Sequence, residues 1–289
     1  MPVLYVLILL LTSFLWGGNF VYSKFLVGHA TPITLTILRW TIAIFVFFPM
    51  LKNNREKMLP SKSSILPLFL MGVSGVVFFN IFQFLAIENT SSINTGLIST
   101  LNPLSIAVSS ALFLHERIKF RQLLAMLLSL VGVLIVLSKG SLDRILLLHF
   151  NNGDLWMIAA VIMWGIYSVC GKWAMKKVAP MTATFYSGVF GVVMLLPFNL
   201  NNFQITNIDL PFILALIYTG IVSTVVCMLL WNIGVQKIGA TKAGIFLNFN
   251  PIFTAILAFF ILQEKMSLAE LTGSIIVITG CLLFYKYSK

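Results

Sequence analysis

Two asparagine-proline pairs, Asn102-Pro103 and Asn250-Pro251, interrupt otherwise apolar stretches of the chain. Proline has no amide hydrogen and clashes with the preceding turn, so each pair should free a carbonyl and bend or loosen a helix. Such breaks can act as hinges whose exposed backbone and amide groups hydrogen-bond a small molecule. They can equally be packing kinks, with each Asn tied to neighbouring backbone. Trp16, Asn19 and Ser23 fall at helical spacing, and Trp164, Tyr167 and Gly171 repeat that stripe. Asn80 and Gln83 are three apart and share a face, with Phe84 adjacent. A cavity lined by these groups would suit a molecule with an apolar body and a few polar atoms. The rival explanation is an aromatic belt at a lipid interface, and it is the reading adopted for Trp231 and Tyr285, whereas Trp16 and Trp164 are assigned to the cavity.

The charged candidates are few. Arg39 stands about five residues inside an apolar run, where it must snorkel, bond to backbone or bind a carboxylate of a ligand. Its position near the start of span two should place it towards the outer face. Glu116 and Glu264 end apolar runs; they are read as gate or helix-end residues, or else as solvated end charges near Arg117 and Lys265. No Asp or Glu occupies the middle of a run, and His29, His115 and His149 all fall between runs. The titrating carboxylate or histidine that a proton-coupled carrier usually holds inside the membrane is therefore not evident. Cys170, Cys227 and Cys281 lie within runs, with neither disulfide nor metal-ligand spacing. No metal or cofactor is expected. An intramembrane enzyme would need a nucleophile with its base, paired aspartates or a His-Glu-x-x-His helix, and nucleotide hydrolysis would need a glycine-rich phosphate loop. The sequence has none of these.

The elements that must position these residues follow from composition. Of 289 residues 59% are apolar and 9% charged, and mean hydropathy is +1.01. Soluble domains carry about 25% charged residues. A soluble globular protein, a disordered tail and a nucleic-acid binder are excluded, and the apolar runs have membrane-spanning length. Ten spans are expected, at Tyr5–Ser23, Thr34–Leu51, Ile65–Ile87, Ile93–Leu114, Arg121–Leu137, Leu155–Met175, Thr182–Leu200, Phe212–Trp231, Thr241–Leu262 and Leu268–Tyr285. Only Lys52–Ser64 and Ser138–Asp154 are longer connections, and the second contains Ile145-Leu146-Leu147-Leu148, a short apolar piece suited to the membrane surface. The start of the chain lacks a basic segment and a small-residue cleavage site, so the first run is read as a retained span. Lys and Arg stay on the cytoplasmic side during insertion. One side of a ten-span layout collects 14 of the 19, the other holds Lys24, Lys139, Arg144 and Lys265, and Arg39 lies within span two. Both termini should be cytoplasmic.

Trp16-Gly17 recurs as Trp164-Gly165, an offset of 148 residues. The same offset pairs Lys24 with Lys172, Pro49 with Pro197, Gly72 with Gly220, Asn102-Pro103 with Asn250-Pro251, Glu116 with Glu264 and Gly132 with Gly280. Paired Trp-Gly and Asn-Pro dipeptides in one register mark a duplicated five-span unit, with boundaries at 1–144 and 149–289. An odd number of spans inverts the second copy. Inverted repeats characterise secondary transporters, in which two similar halves exchange conformations around a site between them. A channel needs only one open path, and neither a selectivity filter nor a ring of charge is present. A multi-span scaffold or receptor without transport activity is the other class, though it needs no inverted duplication. Gly72, Ser74, Gly75, Gly132, Gly220 and Gly280 are read as allowing close helix approach.

Trp16-Gly17-Gly18-Asn19-Phe20, Leu38-Arg39-Trp40 with Ala43, Asn102-Pro103 and Glu116, repeated through Trp164-Gly165, Asn250-Pro251 and Glu264, resemble the drug/metabolite transporter superfamily, specifically its EamA-type ten-span exporters. The resemblance covers the whole chain. It implies an all-helical basket around a central cavity with spans five and ten peripheral. It also implies export of small organic metabolites, often amino acids or related compounds, from a bacterial cytoplasmic membrane. Ser187 stands where the second unit would repeat Arg39, so any role of Arg39 is not symmetric.

Overall fold

The computed structural model describes residues 3–53, 59–114, 119–138, 140–141 and 151–287. Among them the chain forms ten helical stretches and no strand: α1 (Val3–Lys24), α2 (Pro32–Asn53), α3 (Lys62–Asn89), α4 (residues 92–114), α5 (Phe120–Ser138), α6 (Asn152–Ala174), α7 (Pro180–Asn199), α8 (Leu210–Ile238), α9 (residues 240–262) and α10 (Leu268–Tyr287). Seven of these, α1 to α4 and α6 to α8, are long and apolar enough to cross a membrane. Shorter apolar stretches lie at Phe120–Gly132, Phe246–Leu262 and Leu268–Phe284. Glu116, His115, Arg117, Lys139, Arg144, His149 and the run 145–148 lie outside the described residues, as do the side chains of Cys281 and Tyr285.

Helix boundaries follow local chemistry. Ser91, Asn151 and Asp209 each accept a bond from a backbone amide of the turn that follows, at 3.1, 2.8 and 2.8 Å. Ser267 and Glu270 form a reciprocal capping box at the start of α10: the Ser267 amide donates to the Glu270 carboxylate at 2.6 Å and the Glu270 amide to Ser267 Oγ at 3.2 Å. Gly239, with φ of 86°, separates α8 from α9 in a left-handed conformation that other residues rarely adopt.

The duplication read from the sequence is visible in the irregularities. Helix α3 widens into a π segment at Gly72–Phe78, and α8 does so at Tyr218–Val226. The offset of 148 carries the first onto 220–226, inside the second. Likewise α4 begins as Ser92–Ile98, tightens to a 3-10 turn at Ser99–Leu101 and resumes at Asn102, while α9 has its 3-10 turn at Ile245–Phe249 and resumes at Asn250. Packing repeats as well. Helix α1 packs on α9 as α6 packs on α4, and α2 packs on α8 as α7 packs on α3, so each unit embraces the other. Helices α5 and α10 pair chiefly with one another, where a Cβ on Gly132 would come 2.8 Å from the Gly273 carbonyl and one on Gly280 would come 2.7 Å from the Ser129 amide nitrogen.

Polarity is arranged inside out relative to a soluble protein. Phe45, Leu112 and Phe260 are exposed, as suits a surface facing lipid, while Asn19, Arg39, Asn80, Gln83 and Asn102 are buried. Free Cys170 and Cys227 are buried.

Candidate functional site

The π segments place the polar groups. In a widened helix some carbonyls lose their regular amide donors, and side chains can take the vacated bonds. Asn80 Nδ2 donates to the carbonyls of Gly75 and Val76, both at 2.9 Å, within the α3 segment. On α8, Thr224 Oγ1 donates to the Thr219 carbonyl at 2.7 Å and the Trp16 indole Nε1 to the Ser223 carbonyl at 3.1 Å. Ser223 and Thr224 also hold Arg39, whose Nε donates to Thr224 Oγ1 at 2.5 Å and whose Nη2 donates to Ser223 Oγ at 2.9 Å. Ser223 Oγ in turn donates to Asn19 Oδ1 at 2.8 Å.

These groups surround a central cavity between the two units, lined by Trp16, Asn19, Phe20, Arg39, Trp40, Gly75, Phe79, Asn80, Gln83, Asn102, Trp164, Met228, Leu247 and Asn250. About 460 Å³ of space lies between its atoms, of which about 30 Å³ is open to the centre of a water-sized sphere. A metabolite therefore needs side chains to move or the walls to part. Arg39 Nη1, Asn80 Oδ1, Gln83 Nε2, Asn102 Oδ1, Trp164 Nε1 and Asn250 Oδ1 have no hydrogen-bond partner among the described residues. Buried polar groups are normally satisfied, so these unpaired donors and acceptors are available to hydrogen-bond a polar guest. The apolar side is an aromatic cluster. Trp16 meets Trp164 edge to face at 5.2 Å, Trp164 stacks on Tyr167 at 5.1 Å, and Phe79 lies 5.0 Å from Trp164.

Eight residues singled out in the sequence thus line one cavity: Trp16, Asn19, Arg39, Asn80, Gln83, Asn102, Trp164 and Asn250. Tyr167 stands behind Trp164 instead, with its hydroxyl accepting from Asn232 Nδ2 at 3.0 Å, and Asn232 also donates to Thr184 Oγ1 at 2.8 Å. Pro103 and Pro251 are the second residues of the helices Asn102–Leu114 and Asn250–Leu262. The break lies one turn before each, and proline occupies a first turn, where no amide hydrogen is required. Glu264 is half-buried and accepts from the amides of Ser92 and Ile93 at 3.4 and 3.2 Å. It therefore caps the N-terminus of α4 in the other unit rather than standing as a solvated charge. Its counterpart Glu116 is outside the described residues.

Two expectations are corrected. Trp231 is not an interfacial belt residue: it is 1% exposed and packs 5.7 Å from both Trp16 and Trp164. Helix α8 runs on to Ile238, two turns beyond the span end expected at Trp231, which draws the indole into the interior. Arg39 does not snorkel, being 4% exposed and bound to side-chain hydroxyls rather than backbone. Sequence reading missed those hydroxyls. The adjacent pair Ser223-Thr224 inside an apolar run was the available signal, since polar side chains in a span need a partner. Gly17 and Gly165 entered the sequence reading as repeat markers, and their packing role was missed: an added Cβ would sit 2.7 Å from Phe253 Cβ and 2.7 Å from the Ser105 carbonyl. Phe253 and Ser105 are themselves related by the offset of 148. Each Trp-Gly pair thus turns Trp to the cavity and Gly to the crossing helix.

The sequence pattern of the EamA-like transporter family matches residues 3–138 and again 151–286. The chain belongs to this family. It is a multi-pass membrane protein and a transporter of the drug/metabolite type. It is similar to the uncharacterized transporter YyaM of Bacillus subtilis, 28% identical over 93% of this chain and 90% of that one. An uncharacterized transporter of Archaeoglobus fulgidus is 29% identical over 96% of each chain. A solved crystal structure shares the fold, with a TM-score of 0.71 over 100% of this chain and 99% of the other at 18% identity.

Proposed function

We propose that this EamA-family transporter is a ten-span carrier made of two inverted five-span units, bounded at 1–144 and 149–289, that moves small organic metabolites outward by alternating access. Both termini face the cytoplasm of a bacterial cell in this reading, on the strength of the Lys and Arg distribution. The observation that carries the reading is the cavity itself, because matched residues of both units, Trp16 with Trp164 and Asn102 with Asn250, meet around one set of unpaired polar atoms. A site on the axis between inverted units is where exchange of their conformations would open it to either side. Asn102 and Asn250 contact the cargo, and the 3-10 breaks beside Pro103 and Pro251 serve as hinges. Arg39 supplies charge, and Glu264 with Glu116 serves as an end-of-helix gate, since Glu264 bridges the two units. Export rather than import rests on family resemblance.

The test is flux from proteoliposomes loaded with a mixed amino-acid and metabolite panel, read by mass spectrometry with and without a proton gradient. Selective, saturable release above empty liposomes is expected, with no response to the proton gradient. No release of any compound would contradict the carrier reading and favour a scaffold or receptor.

A further inference from the structure

Among the described residues Arg39 is a buried cation held by neutral groups alone. Two of its nitrogens donate to the hydroxyls of Thr224 and Ser223, and the third, Nη1, has no partner among the described residues. Hydroxyls orient a guanidinium without cancelling its charge, and a buried charge without a counter-charge is costly. Among the described residues the cavity lining contains no Asp, Glu, Lys or His, and Arg39 is its one charged side chain.

We propose that the cavity binds small organic monoanions, a carboxylate carried on an apolar body, with Arg39 as the counter-ion, and that the membrane potential drives their exit. The proposal rests on transport through this cavity. With Nε and Nη2 already donating to Thr224 and Ser223, Nη1 is the guanidinium nitrogen left for a carboxylate, and Gln83 Nε2 and Trp164 Nε1 add further unpaired donors to the same space. One fixed positive charge is neutralised by one negative charge. An amino-acid zwitterion brings no net charge and leaves the site positive, whereas a dianion overshoots. The indoles of Trp16 and Trp164 and the ring of Phe79 accept the apolar body. A carrier that releases its anion outside and returns empty moves one negative charge outward per cycle. At a potential negative inside, about 59 mV then sustains a tenfold outward gradient without any coupling ion.

The experiment uses proteoliposomes of the full chain loaded with isocaproate, leucine or isocaproamide, which share one apolar body and differ in charge. Potassium gradients with valinomycin set the voltage, and R39K and R39Q are compared with wild type. Isocaproate is expected to leave at least about tenfold faster than leucine or the amide, faster at inside-negative and slower at inside-positive voltage. R39Q should lose at least about tenfold of the isocaproate flux and R39K should keep part of it. Equal rates for the three solutes, or undiminished isocaproate flux in R39Q, would overturn the anion site while leaving the carrier reading intact. The voltage response of wild type decides the matter even if R39Q fails to fold, since a flat response is also contrary. If nothing moves, tryptophan fluorescence in detergent separates the claims. Quenching by isocaproate in wild type but not in R39Q keeps the anion site and rejects transport, and no quenching rejects both.

Discussion

The two five-helix units share a frame and differ in what they show the cavity. The π segments, the 3-10 turns, the Trp-Gly crossings and the Asn-Pro starts recur at one offset. The lining does so only in part: Trp16 with Trp164 and Asn102 with Asn250 are matched. Where the first unit lines the cavity with Asn19, Arg39, Asn80 and Gln83, the second has Tyr167, Ser187, Met228 and Trp231, and of these four Met228 alone is among the lining residues. The cation and most of the polar side chains come from the first unit, while an indole comes from each. Symmetry of the frame suits a molecule that must adopt two equivalent closures, whereas asymmetry of the lining would suit the proposed amphipathic cargo held in one orientation. The polar network follows the same division, because Arg39 and Asn19 reach across to hydroxyls of α8, while Asn232 ties α8 to Tyr167 and Thr184 within its own unit.

Breaking the frame should have the largest effect, and the same effect in both units. Gly17→Val and Gly165→Val each force a side chain against the crossing helix, at a cost of about 1 to 3 kcal/mol. Thermal unfolding in detergent should show comparable losses of Tm for both; a loss confined to one would mean that the crossings are not equivalent. Next comes the lining. Converting the polar wall to the residues of the other unit, Asn80→Met or Gln83→Trp, should lower flux about tenfold or more, roughly 1.4 kcal/mol of binding or barrier. The reverse change Met228→Asn should stay within a few-fold of wild type, and a larger loss there would deny the asymmetry. Asn102→Ala and Asn250→Ala should each reduce flux several-fold without preventing membrane insertion, and to similar extents if the two breaks act as paired hinges. Wild-type flux in both variants would remove them from the site. The smallest effect is expected from Glu264→Gln, which keeps the acceptor but loses the charge at the start of α4, about 0.3 to 1 kcal/mol. Its Tm should fall by only a few degrees.

The helices were legible because apolar runs report themselves by length, although seven of the ten expected spans are long and apolar enough to cross a membrane, and the duplication was legible in paired dipeptides. Six of the eight cavity residues were reachable because a polar side chain inside an apolar run has few reasons to be there, and Trp16 and Trp164 because their stripe repeats. The location of Trp231 was not reachable, because an apolar run has no periodicity to reveal its facing and the expected span stopped too early. The π segments were equally hidden, since Gly72 and Gly220 look like packing glycines in a one-dimensional reading. Arg39 could be weighed as snorkelling, bonded to backbone or ligand-binding, and only the positions of Ser223 and Thr224 in three dimensions removed the first two.

The central claim is that one cavity between the units serves both sides of the membrane in turn. A single cysteine at Gln83, in a background lacking Cys170, Cys227 and Cys281, tests it when treated with a membrane-impermeant thiol reagent in right-side-out and in inside-out vesicles. Labelling from both faces, with protection by a transported solute and no ion leak, is the predicted result. Labelling from one face alone, unchanged by any solute, would contradict alternating access at this site.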